Sequence, residues 1–154
     1  MIKYGLLLAI LAVGCAETKT PTESEHGMIP QRLAENRATW AKNGSPNYQF
    51  NFQRSCFCIP DYTREVGIIV VNGAIVAANY TDNGLSVEDD FFGSYNTIDE
   101  LFVLLEEAVN TGAAQIDVEF DAVLGYPTNL FIDQDRHIAD EEQWIAGSNL
   151  LLSP

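Results

Sequence analysis

The sequence predicts an α+β domain: an antiparallel sheet of five to six strands carrying two helices on one face, in the order α-β-β-β-α-β-β-β. Three observations predict it. Tyr48-Gln49-Phe50-Asn51-Phe52-Gln53-Arg54 alternates large apolar and polar residues, the period of a half-buried strand. Asn72-Gly73 joins two apolar runs, a strong hairpin signal because both turn positions take positive φ. Thr97-Ile98-Asp99-Glu100 is a capping box opening a stretch with apolar residues at helical spacing.

The first helix is expected from Pro30 to Asn43. Pro30 suits a first helical position, Leu33, Arg37 and Trp40 share a stripe, and Asn43-Gly44 before Pro46 is a stop. Trp40 is read as its core anchor. In the strand that follows, Tyr48, Phe50, Phe52, Cys56 and Cys58 fall on one side when counted in twos. Ile59-Pro60-Asp61-Tyr62 is a turn, and Val66 to Val71 and Ala74 to Tyr80 form the hairpin. Both hairpin strands are apolar on both faces, which predicts a central place with a helix on one side and a loop or partner on the other. A loop from Asp82 to Gly93 leads to the second helix, which buries Ile98, Leu101, Phe102, Leu105 and Val109 and stops at Gly112. Gln115 to Asp121 alternates, with Ile116, Val118 and Phe120 inward and Asp117, Glu119 and Asp121 outward. After the turn at Gly125-Tyr126-Pro127, Leu130 to Asp133 is a strand, and Gln143 to Leu152 supplies a last one.

Residues 1–14 hold one basic residue, Lys3, and an apolar run from Leu6 to Val13. A bilayer span needs about 20 apolar residues, so this run suits a signal-peptide core instead. Ala12-Val13-Gly14-Cys15 resembles a lipobox, in which Cys15 is lipidated and becomes the mature N-terminus; ordinary signal cleavage nearby is the plainer alternative. Residues 15–28 then read as the lipidated Cys and a flexible polar tether, and residues 29–154 as one domain. Ala16 rather than Asp after the lipidated Cys points to the periplasmic face of the outer membrane if the source has two membranes. The chain's 154 residues, 47% hydrophobic, are enough for one cored domain. With 8 Lys+Arg against 22 Asp+Glu, its net charge of −14 repels nucleic acid and excludes it as a partner. Committing Cys15 to lipid leaves the even pair Cys56 and Cys58, and beyond the cytoplasmic membrane such a pair can be a disulfide.

Trp40, Tyr48-x-Phe50, Cys56-x-Cys58, Val71-Asn72-Gly73 and Thr97-Ile98 with Leu101-Phe102 occur here in a characteristic order. Val118-x-Phe120-Asp121, Gly125-Tyr126-Pro127, Ile132-Asp133 and Asp140-Glu141-Glu142 follow them. On these residues, spread over about 40 to 144, the chain resembles the bacterial lipoproteins grouped as domain-of-unknown-function family 6174. The family pattern takes Tyr where Phe120 stands. The resemblance implies a shared fold and an envelope location; it implies no activity.

Few residues invite a chemical role. Bridging Cys56 to Cys58 needs Cα atoms about 5.5 Å apart where a regular strand holds them about 6.6 Å apart, so a bridge bends the chain at Phe57. A structural disulfide, a redox pair and a metal site are all open to these thiols. The redox reading is limited by the buried face predicted for them, and only Arg54 and Arg64 lie near in sequence to stabilise a thiolate. Zinc wants four ligands, and neither His26 nor His137 stands at ligand spacing from the thiols. Asp133, Asp135 and Asp140 crowd oxygens as calcium candidates, yet Ile138 stands where a calcium loop has Gly and Trp144 where it has Glu. A solvated acidic turn is the simpler account. Asp117, Glu119 and Asp121 could face a cation or a basic partner, or could be a solvated sheet face. No Gly-x-Ser-x-Gly and no phosphate-cradling loop occurs, and no catalytic residue is assigned. The expectation is a lipid-anchored envelope module, non-catalytic and without cofactor, bound to the membrane through its N-terminal lipid and to an envelope protein partner. The alternative is a thiol-disulfide redox lipoprotein using Cys56 and Cys58.

Overall fold

Strand β1 (Tyr48–Ser55) lies at the middle of the molecule, with Tyr48, Phe50 and Phe52 almost wholly buried. A computed structural model of the chain describes residues 23–153; the leader, Cys15 and the start of the tether lie outside them, as does the His26 side chain. Six antiparallel strands form one sheet in the order β3-β2-β1-β6-β5-β4. Here β2 is Val66–Val71, β3 Ala74–Tyr80, β4 Gln115–Phe120, β5 Pro127–Asp133 and β6 Gln143–Leu152. Helices α1 (Glu23–Asn43) and α3 (Ile98–Thr111) pack on one face; α2 (Asp89–Phe92) is a single turn in the connecting loop.

The α+β class and the pairing of helices on one face are as the sequence predicts. Helix α1, however, begins at Glu23, seven residues before Pro30, within the segment read as tether. Ile29 explains the extension: it is buried one turn before Leu33 and carries the apolar stripe back past the proline. Pro30 therefore sits inside the helix and removes one backbone bond. Trp40 anchors the other end, its ring edge-on to Tyr48 at 5.5 Å.

Helix α3 opens as the capping box requires. The Thr97 hydroxyl accepts from the Glu100 amide at 3.2 Å, and the Glu100 carboxylate accepts from the Thr97 amide at 2.7 Å. A further first-turn donor, the Ile98 amide, gives its hydrogen to the Tyr48 hydroxyl at 2.9 Å, so β1 itself caps α3. Gly112 ends the helix at φ 71°, and Ala108 rather than Val109 takes the last fully buried place. An Arg37–Glu106 ion pair ties α1 to α3.

The hairpin turn forms at Asn72 and Gly73, both at positive φ. Its strands are not central, as their apolar composition suggested. They make one end of the sheet, because the long β6 pairs with β1 and takes the middle. Ile69, Val71 and Val76 are consequently exposed. Both outer edges are partly occupied: Arg32 donates to the Val118 carbonyl on β4, and Val87 donates to the Ala78 carbonyl on β3.

Candidate functional site

Because both long helices cover one face of the sheet, the other face presents its alternate side chains directly to solvent. The register fixes which of them meet. Asp117 lies opposite Phe131, and Phe131 opposite Trp144. Two residues along, Glu119 lies opposite Asn129, and Asn129 opposite Ala146. Between these two rows is a pocket of about 100 Å³ lined by Asp117, Val118, Glu119, Asn129, Phe131 and Trp144. Asp117 and Glu119 are exposed, and neither has an ion-pair partner among the described residues. The Gln115 amide donates to the Asp117 carboxylate at 2.5 Å. The Asn129 Oδ1 is buried and, among the described residues, accepts no hydrogen bond, which leaves a costly acceptor unsatisfied.

Asp121, grouped with these acids by the sequence pattern, does not stand with them. A register shift between Glu119 and Phe120 ends the alternation. Asp121 instead builds the β4–β5 turn, its Oδ1 accepting from the amides of Val123 and Leu124 at 2.9 and 2.7 Å. Phe120 turns inward and stacks on Phe102 at 6.2 Å.

A larger cleft of about 380 Å³ opens on the same face at the β3 side. Gln49, Asn51, Ile69, Asn79 and Leu151 surround Gly67, and no charged residue lines it. A Cβ on Gly67 would meet nothing nearer than 3.9 Å, so the dip exists because that side chain is absent rather than because the backbone demands glycine.

The thiols are placed otherwise than strand counting predicts. β1 ends at Ser55, and the Cys58 amide donates to the Cys56 carbonyl at 2.9 Å, closing a three-residue turn. The sulfurs are in close contact, with Cα atoms 5.3 Å apart. The turn redirects Cys58 into solvent and leaves Cys56 half-buried, so the pair is not on the buried face. Phe57, between them, is 85% exposed. Neither nearby arginine is free to serve a thiolate. Arg64 pairs with Asp82 at 2.6 Å and lies over the Tyr80 ring, while Arg54 lies over Phe52 and donates to Asn96 at 3.1 Å. Burial lowers the Arg54 pKa from its usual value.

The calcium candidates do not converge. Asp133 is buried with one oxygen unpaired, Asp135 accepts from the His137 amide and ring, and Asp140 is exposed at φ 67°. The His137 amide and then its ring hold Asp135 below the ordinary carboxylate range. Among the described residues, no three His, Cys, Asp or Glu side chains are placed to hold a metal ion.

The family model described as a family of unknown function, DUF6174, matches residues 32–151, well over half of the chain. The chain belongs to the DUF6174 family. No curated protein and no solved structure matches it. The DUF6174 match spans both rows of the pocket, the cleft and the thiol turn, so all three sites lie within the family domain. Sequence reasoning found Asp117 and Glu119 but missed Asn129, Phe131 and Trp144. The alternation of Asn129 and Phe131 with inward Leu130 and Ile132 was the available signal; their juxtaposition with Trp144 needed the register.

Proposed function

We propose that this protein is a lipid-anchored component of the cell envelope whose domain is a non-catalytic binding module. Cys15 carries the lipid after removal of residues 1–14, residues 15–28 include the tether, and the uncovered sheet face takes an envelope protein. The observation that carries the reading is the asymmetry of the sheet. One face is covered by α1, α3 and the loop that carries Val87 and Tyr95, whereas the other displays acids without ion-pair partners among the described residues, half-buried aromatics and two openings. Monomeric domains that leave such surface uncovered commonly use it. Cys56 and Cys58 are read as a structural disulfide that presents Phe57.

The anchor is tested by metabolic labelling with a fatty acid: label enters the wild-type protein and is lost in Cys15→Ser. Label retained in that variant overturns the anchor. The face is tested by capturing the envelope partner with Gln49→Trp and Ser148→Trp, each of which crowds the sheet surface. Undiminished capture by both variants overturns the face.

The exposure of Cys58 favours a second reading, thiol-disulfide exchange with a dithiol protein. Alkylation before and after mild reductant tests it. A pair that stays blocked to alkylation under mild reductant removes it.

A further inference from the structure

We propose that the pocket between the Asp117 and Glu119 rows receives the guanidinium of an arginine on the protein partner. The inference rests on the reading that the uncovered face is the binding surface, and it names what that face takes.

Size narrows the occupant first. About 100 Å³ holds the head of one side chain and is too small for a nucleotide or a saccharide. Charge narrows it next. Among the described residues Asp117 and Glu119 rim the pocket without cationic partners, in a chain of net charge −14. A positive group is therefore favoured there and a negative one repelled.

The walls decide between the cations that remain. Phe131 and Trp144 are aromatic and offer no oxygens, which disfavours a metal ion needing ligands on several sides. A guanidinium is flat, weakly hydrated and rich in donors. It can lie against an aromatic ring while its edge donates to carboxylates. An ammonium is a compact, strongly hydrated charge and loses more on entering an aromatic-walled pocket.

The test uses the full chain, with N-acetyl-arginine amide and a glycine-flanked arginine peptide as probes and their citrulline counterparts as neutral isosteres. The indole N–H resonance of Trp144 is followed, with that of the buried Trp40 as an internal control. Arginine probes are expected to shift Trp144 and not Trp40, and citrulline probes to bind at least about tenfold more weakly. Asp117→Asn and Glu119→Gln are each expected to weaken the arginine peptide by about tenfold, with unchanged thermal midpoints establishing that the variants fold. Equal response to arginine and citrulline, or a silent Trp144 with every arginine probe, overturns the proposal. Partner capture lost in Ser148→Trp but untouched in Asp117→Asn and Glu119→Gln removes the arginine pocket and leaves the binding face standing.

Discussion

Tyr48→Phe deletes one oxygen from the centre of the molecule. The ring contacts with Trp40 at 5.5 Å and Phe50 at 5.7 Å survive the change. What is lost is the acceptor for the Ile98 amide, and this donor at the start of α3 is buried with its residue at 0% exposure. A buried donor left unpaired costs about 1–3 kcal/mol, because its desolvation is no longer offset. With a urea m-value of about 2 kcal/mol/M, the denaturation midpoint should fall by about 0.5–1.5 M at unchanged slope. The variant also carries a pH signature. Burial raises the Tyr48 pKa above its ordinary value, as the first of its causes. Its contribution to stability is therefore complete below about pH 10 and is lost progressively as the pH rises from there toward the raised folded value. Wild type should weaken in alkali more steeply than Tyr48→Phe. A midpoint within about 0.2 M of wild type, with parallel alkaline profiles, would refute the capping of α3 by β1.

Two glycines at similar positive φ should respond very differently to alanine. Gly112 faces open space, so Gly112→Ala pays only the left-handed backbone penalty of about 1 kcal/mol. At Gly125 an added Cβ would stand 2.6 Å from the Asn36 carbonyl oxygen and 2.9 Å from the Thr39 Cβ, so α1 must shift and the loss should reach about 3 kcal/mol or more. Equal losses in urea titrations would contradict the close packing of α1 on the β4–β5 turn. Replacing both Cys56 and Cys58 by Ser should cost no more than about 1.6 kcal/mol, the chain-entropy value for a loop of about three residues. A loss above about 3 kcal/mol in the same assay would show that the thiol turn organises the fold.

Local signals in the sequence were sufficient wherever a few neighbouring residues decide the outcome. The capping box at Thr97, the Asn72-Gly73 turn and the alternation from Tyr48 to Phe52 each formed as their chemistry requires. Strand order was not legible in the same way. The pairing of β6 with β1 joins residues about a hundred positions apart, and no local pattern announces it. That pairing displaced the apolar hairpin to the end of the sheet. The thiols were misplaced because alternation was extended past Ser55, where a backbone bond from Cys58 to Cys56 ends it. Asp121 was misplaced for the same reason at the other end of the sheet, where a register shift and an Asx turn intervene. Of the five outward side chains of the candidate site, two were visible, Asp117 and Glu119. The rest, Asn129, Phe131 and Trp144, comes from two other strands and is assembled only by register.

The central claim is that the sheet face opposite the helices is the working surface. Site-specific photocrosslinking in intact cells tests it most directly, with the crosslinker placed in turn at Gln53 and Ser148 on the uncovered face and at Val103 and Glu107 on α3. The account predicts a discrete crosslinked protein from Gln53 and Ser148 and none from Val103 or Glu107. Crosslinks from the α3 positions alone would contradict it.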